Sequence, residues 1–101
     1  MGNYEYPTEE QLKIIQEWDL SLHPVMELIE YIRSLWWMPN WGFKLKDKRV
    51  LRLELHTGGW SGNEDIIHVL EQNYYFWYFL EESTVGGHYW FTIMPQFWKK
   101  E

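Results

Sequence analysis

The amino-acid sequence predicts an α+β domain in which a four-stranded, mostly antiparallel sheet carries helices on one face. Two observations predict this class. Apolar residues recur at helical spacing in the first third of the chain, and later segments alternate apolar and polar residues between glycine-, proline- or asparagine-containing turns. The predicted order is α-α-β-β-α-β-β. The 101 residues suit one domain, with a helical pair at 8–36, a sheet plus helix at 41–94 and a short tail at 95–101.

Two helices begin the chain. Thr8 can cap the first helix, and Gln11 three residues later completes a capping box. Pro24 suits the first turn of the second helix. We expect this second helix to run to about Trp36, with an apolar stripe facing the core.

Two strands follow, at 41–46 and 50–57, with a turn at 47–48. Apolar and polar residues alternate in both strands, so one face of the hairpin is apolar and the other is largely basic. The residues expected to face the core are Trp41, Phe43, Leu45, Leu51, Leu53 and Leu55.

A third helix begins at Ser61, within the glycine-containing segment 56–64. Ser61 and Glu64 have the spacing of a second capping box. We expect the helix to reach about Gln72, with Asn73 ending it in the left-handed conformation.

The last third contains two further predicted strands. The run from Tyr74 to Leu80 is nearly all aromatic, which is compatible with a buried strand or a helix. We favour a strand because aromatic residues fit pleated surfaces. After a turn at 84–87, residues 88–94 alternate as a closing strand. A strand at 74–80 would carry aromatic side chains on both faces, and contiguous exposed aromatic residues mark interfaces.

Composition limits the classes of function. The net charge is −6 and cysteine is absent, which disfavours nucleic acid as a partner and excludes disulfides and cysteine nucleophiles. No apolar run approaches the roughly 18 residues of a spanning helix, and the first ten residues lack the features of a secretory signal. We therefore expect a cytoplasmic protein without a membrane partner. One basic island interrupts the acidic chain: Lys44, Lys46, Lys48, Arg49 and Arg52.

Two glycine pairs, at 58–59 and 86–87, flank the candidate site and indicate tight turns. If the strands beside them are neighbours, His56 and His88 converge with Glu54 or Glu64. The candidate binding residues are His56, Thr57, Trp60, Ser61, Asn63, Glu64, His88 and Trp90. No catalytic residue, metal ligand or cofactor is assigned, because the serine lacks the second glycine of a nucleophile elbow and the histidines lack ligand spacing.

Residues 53–64 (LELHTGGWSGNE) and 86–91 (GGHYWF) resemble small phage and prophage proteins of uncharacterised function. This resemblance implies a phage or integrated-element origin and action in a bacterial cytoplasm. Small acidic phage proteins often inhibit or adapt host proteins. The resemblance implies no activity and no cofactor.

We expect a noncatalytic protein-interaction module that acts on a host protein as inhibitor or adaptor, or that self-assembles. The reason is the aromatic content of 20%, with eight tryptophans, and the lack of a complete catalytic motif. The alternative is a small-molecule-binding protein or minor hydrolase. Its pocket would lie between the loop at 58–63 and the turn at 86–88.

Overall fold

The computed structural model of the protein describes residues 6–99 and has the predicted α+β architecture. The strands are β1 (Phe43–Asp47), β2 (Leu51–His56), β3 (Leu80–Thr84) and β4 (His88–Ile93). They form one antiparallel sheet in the order β1-β2-β4-β3. The helices within this range are α1 (Glu9–Gln16), α2 (Val25–Leu35), α3 (Pro39–Gly42), α4 (Ser61–Glu71), α5 (Tyr74–Trp77) and α6 (Pro95–Trp98).

The two initial helices form where the sequence predicts them. Thr8 accepts a hydrogen bond from the backbone of Gln11, whose side chain accepts one from Thr8 N, so the capping box is confirmed. Pro24 occupies the position before α2. Proline lacks a backbone N–H, and at this position no helical hydrogen bond needs one. None of the helices in residues 6–99 has the length and apolar character needed to cross a membrane.

The hydrophobic core lies between one face of the sheet and the helices. Leu51, Leu53 and Leu55 of β2 are fully buried, as predicted from their alternation. They pack in one cluster with the apolar faces of α1, α2 and α4. The other buried members of this cluster are Ile15, Val25, Leu28, Ile29, Ile32, Trp36, Phe43, Ile66, Ile67, Val69, Leu70, Phe76, Phe91 and Ile93.

The opposite face of the sheet carries the alternate residues of each strand. Cross-strand pairing aligns Lys44 with Glu54, Glu54 with Trp90, and His56 with His88. We call this surface the outer face. Polar groups and one tryptophan therefore lie together on the side of the sheet that faces away from the core.

The predicted strand over Tyr74–Leu80 is wrong. Residues 74–77 form the helical turn α5, and β3 begins only at Leu80. Asn73 has a φ of −89° and its side chain accepts a hydrogen bond from Phe76 N, so it begins α5 and does not end α4 in the left-handed conformation. A favourable N-cap thus outweighs the strand preference of the aromatic run.

Two smaller predictions are also wrong. Trp41 is 50% exposed because the left-handed Met38 (φ 57°) leads into α3, and β1 starts only at Phe43. Ser61 makes no capping bond, since α4 begins at Ser61 itself and Trp60 is its N-cap residue. The capping box predicted for Ser61 and Glu64 is therefore absent.

Candidate functional site

The two glycine turns lie against each other. All four of their glycines have positive φ, as the sequence predicts. Thr57 N donates a 2.9 Å hydrogen bond to Gly87 O, which continues the pairing of β2 with β4 beyond the strands. An added Cβ at Gly87 would lie 2.1 Å from Thr57 Oγ1, so this contact requires glycine.

Beside these turns, three side chains form a linear hydrogen-bonded series that we call the histidine chain. Glu54 Oε2 lies 2.6 Å from His56 Nε2, and His56 Nδ1 lies 2.6 Å from His88 Nδ1. The series exists because Glu54 and His56 are two residues apart on β2, hence on one face, and His56 is directly opposite His88 on β4. The sequence left open whether Glu54 or Glu64 would converge with the histidines, and in the structure it is Glu54.

The hydrogen-bond partners fix where the hydrogens lie when both imidazoles are neutral and Glu54 is ionised, since the donor and acceptor roles of the ring nitrogens follow the tautomer. An ionised carboxylate only accepts, so His56 Nε2 carries the hydrogen donated to Glu54. A neutral imidazole has one N–H, so His56 Nδ1 is an acceptor and His88 Nδ1 must be the donor. His88 Nε2 is therefore the atom left with an available lone pair.

Two tryptophans border the histidine chain. Trp41 lies 6.0 Å from His56 between ring centroids. Trp90 lies 5.9 Å from His56, edge to face, and 6.3 Å from His88. Because Trp41 is half exposed and Trp90 is partly exposed, both indoles present surface beside the two imidazoles.

Thr57 and Asn63 occupy structural positions. Asn63 is fully buried; it accepts a hydrogen bond from Trp37 N and donates to Trp37 O and Thr57 O. Thr57 is 1% exposed, and its hydroxyl donates to Glu64 at 3.4 Å. These side chains hold the glycine loop against the segment between α2 and α3, which leaves them little surface for a ligand.

Trp60 and Ser61 contact the start of the described chain. Trp60 stacks against Trp37 at 5.5 Å and against Tyr6 at 4.5 Å. Ser61 Oγ donates to the Tyr6 hydroxyl at 3.1 Å. Of the eight candidate residues, His56, His88 and Trp90 thus adjoin one another on the outer face. The other five belong to the glycine loop and the first turn of α4.

The outer face is electrostatically mixed. A groove of about 280 Å³ next to Trp90 is lined by the basic side chains of Lys44, Lys46 and Arg52, and also by Glu54 and two further glutamates. Arg52 lies 4.0 Å from Glu81. Within residues 6–99, no group of three or more His, Cys, Asp or Glu side chains is arranged to hold a metal ion.

A second candidate surface surrounds α5. Tyr74, Tyr75 and Tyr78 are each 79% exposed and line an apolar recess of about 450 Å³. We call this patch the tyrosine surface; its members are Leu20, Tyr74, Tyr75, Tyr78, Phe79 and Phe97. The sequence predicts exposed aromatic residues here, but on a strand with aromatic side chains on both faces, whereas the helical turn places the three tyrosines on one surface.

An acidic recess of about 510 Å³ adjoins the tyrosine surface and shares Leu20, Tyr74 and Tyr75 with it. The carboxylates in its lining are those of Glu17 and Asp19. Hydrogen bonds from the Ser21 hydroxyl and backbone lower the pKa of Asp19, so this carboxylate stays ionised at neutral pH.

Comparison of the chain with protein-family models, with curated proteins and with solved structures finds no match. The resemblance to phage proteins therefore stays a prediction. The geometry of the histidine chain and of the tyrosine surface is the basis for the functional inferences that follow.

Proposed function

We propose that the protein is an interaction module that binds a protein partner noncatalytically through the tyrosine surface. The observation that carries this proposal is the exposure of Tyr74, Tyr75 and Tyr78, which lie in α5 and directly after it. They adjoin apolar side chains of two other segments of the chain. Tyrosine is enriched at binding hot spots because its large ring buries much area at a low cost in conformational entropy. Contiguous apolar surface of this kind marks interaction sites in soluble proteins.

The tyrosine surface is anchored in the hydrophobic core. Phe76, from the same turn as Tyr74 and Tyr75, is fully buried and packs 5.2 Å from Phe91 of the sheet. Trp77 also contacts Phe91, at 5.5 Å. The turn is thus anchored in the core while its tyrosines are exposed, and a preorganised surface loses less entropy on binding.

The recesses indicate the chemistry of the partner. The apolar recess suits an aliphatic or aromatic side chain. The adjoining recess offers the carboxylates of Glu17 and Asp19, and no lysine or arginine of residues 6–99 lines it. A segment with an apolar anchor next to Lys or Arg would complement both parts. We propose that this partner is a host protein, on which the chain acts as an inhibitor or adaptor. In this proposal the chain is phage-encoded and acts in a bacterial cytoplasm.

Affinity capture from a bacterial lysate, read by mass spectrometry, tests the proposal. The test variant is the double substitution Tyr74→Ser/Tyr78→Ser, and the control is Val85→Ser, which removes a fully exposed apolar side chain from the β3–β4 turn. We expect a stoichiometric protein to be retained by the wild type and by the control but not by the double variant. Equal retention by all three proteins, or by none, would contradict the proposal.

Two further measurements examine the mode of binding. Glu17→Lys should weaken capture of the same protein, because it reverses one charge of the acidic recess. Sedimentation of the purified wild type distinguishes a foreign partner from a second copy. Dimers that dissociate in the double tyrosine variant would identify the chain itself as the occupant of the tyrosine surface.

A further inference from the structure

The histidine chain has a feature that an interaction module does not need. Its hydrogen bonds leave His88 Nε2, at the end of the chain, with a lone pair that can act as a nucleophile. In the neutral state, Glu54 accepts from His56, and His56 accepts from His88. The remaining atom, His88 Nε2, has no hydrogen-bond partner in residues 6–99 and is not a buried atom. Gly86 lies beside it, and even an added Cβ there would come no nearer than 3.4 Å.

We propose that His88 Nε2 is a nucleophile for acyl transfer from small aryl esters, with His56 and Glu54 as positioning residues. The proposal is independent of the tyrosine surface, with which these three residues share no member. An imidazole nitrogen with a fixed lone pair attacks an acyl carbon directly, and a neighbouring acceptor for its other N–H promotes that attack. The arrangement resembles the acid–base–nucleophile logic of a hydrolase, with a second histidine in place of serine.

The reaction balances without an additional reagent. The Nε2 lone pair forms a bond to the acyl carbon, and the ester C–O bond breaks, so the phenolate leaves with its electron pair. His88 then transfers its Nδ1 proton to His56 Nδ1, where the Glu54 carboxylate stabilises the resulting imidazolium. Water then attacks the acyl carbon, the bond from that carbon to His88 Nε2 breaks, and the carboxylic acid leaves. One hydrogen of the water stays in the acid and the other is released to solvent as a proton, while His56 returns its proton to His88 Nδ1. Ester and water become carboxylate, phenolate and two protons.

The surroundings select the class of substrate. Trp90, 6.3 Å from His88, offers an indole surface for an aromatic leaving group. Trp90 and Glu54 also line an open groove of about 280 Å³ on the outer face, and among the described residues the two imidazoles lie outside its lining. A small acyl group on an aryl leaving group fits this site better than a long acyl chain, which would need apolar burial.

Hydrolysis of p-nitrophenyl acetate by the full chain, prepared without a histidine tag, tests the activity. The key variant is His88→Gln, whose amide can still donate a hydrogen bond to His56. The matched control is His68→Gln, since His68 lies exposed on α4 away from the histidine chain. We expect His88→Gln to lower kcat/KM by about 10-fold or more and His68→Gln to leave it unchanged. Equal rates for wild type and His88→Gln would overturn the proposal.

Two readouts examine the positioning residues. Nitrogen-15 NMR of the wild type should place the single hydrogen of neutral His88 on Nδ1; an Nε2–H tautomer would overturn the proposal. Glu54→Gln removes the obligatory acceptor and allows the amide to donate to His56, which reverses the chain and places a hydrogen on His88 Nε2. Glu54→Gln should therefore move the hydrogen of His88 to Nε2 and lower kcat with little change in KM. If Glu54 had only a structural role, the tautomer of His88 would not change.

Competitive carbethoxylation with diethyl pyrocarbonate provides an activity-independent measurement. In one folded molecule, peptide mass spectrometry compares His88 with the exposed His23 and His68. We expect His88 to react fastest in the wild type and to lose this advantage in Glu54→Gln. A rate for His88 no higher than that for His68 would contradict the assignment of a nucleophile.

Discussion

The contact between the two glycine turns makes a quantitative prediction about alanine at Gly87. Gly87 and Gly59 both have a left-handed backbone, with φ of +85° and +72°. An added Cβ at Gly87 would lie 2.1 Å from Thr57 Oγ1, whereas an added Cβ at Gly59 would have no atom within 4 Å. Gly59→Ala therefore reports the backbone strain alone, and Gly87→Ala reports strain plus the clash with Thr57.

The expected magnitudes follow from these two terms. A left-handed conformation costs a non-glycine residue about 1–2 kcal/mol, and the reduced entropy of the unfolded chain offsets about 0.4–1 kcal/mol of it. Thr57 is 1% exposed and cannot move into solvent, so overpacking at Gly87 adds about 1–3 kcal/mol. We expect Gly59→Ala to lower the free energy of unfolding by about 1 kcal/mol and Gly87→Ala by about 2–4 kcal/mol.

Urea denaturation followed by tryptophan fluorescence and far-UV circular dichroism measures both values. In thermal unfolding, the Tm of Gly87→Ala should lie at least about 4 °C below that of Gly59→Ala for a domain of this size. Thr57→Ala in the Gly87→Ala background should recover part of the loss, because it removes the clashing hydroxyl. Equal losses at Gly59 and Gly87, or no recovery, would refute the inference that the turns are packed together.

Two other predictions concern stability. Asn63→Ala should lower the free energy of unfolding by about 2–4 kcal/mol, since it leaves buried backbone groups of Trp37 and Thr57 without partners; a loss below about 1 kcal/mol in urea denaturation would contradict this. Burial raises the pKa of Tyr89, and nearby Glu71 and Glu64 raise it further. The neutral phenol therefore stabilises the fold fully below the unfolded pKa of about 10, and this contribution is lost as pH rises through the higher folded pKa. The fall of Tm between about pH 9 and about pH 12 should be smaller in Tyr89→Phe than in the wild type, and an identical fall would contradict the pKa shift.

Periodicity predicts the main elements of this fold because burial follows alternation closely. Leu51, Leu53 and Leu55 alternate with polar residues and are all fully buried, as a one-sided antiparallel sheet requires. The same alternation places Glu54 and His56 on the outer face. The convergence of His56 with His88 could be stated from sequence only as conditional on strand order, because periodicity does not determine which strands are neighbours.

The predictions that fail do so where the local backbone conformation departs from what the residue types favour. Asn73 caps α5 through Phe76 N and converts an expected strand into a helical turn. Met38 adopts a left-handed conformation, which starts α3 and moves Trp41 out of the expected inner face. The sequence alone does not predict either conformation, because asparagine also ends helices and methionine rarely takes a positive φ. Trp41 therefore could not be predicted as a neighbour of the histidine chain.

The one-sided coverage of the sheet makes the two proposed functions separable by mutation. The helices bury one face, so the outer face is available for the histidine chain without opening the core. The tyrosine surface belongs to a turn that is anchored separately, through Phe76. Substituting exposed tyrosines should leave the tautomer of His88 unchanged, and His88→Gln should leave partner capture unchanged. A loss of both properties from either substitution would mean that the two surfaces form a single site.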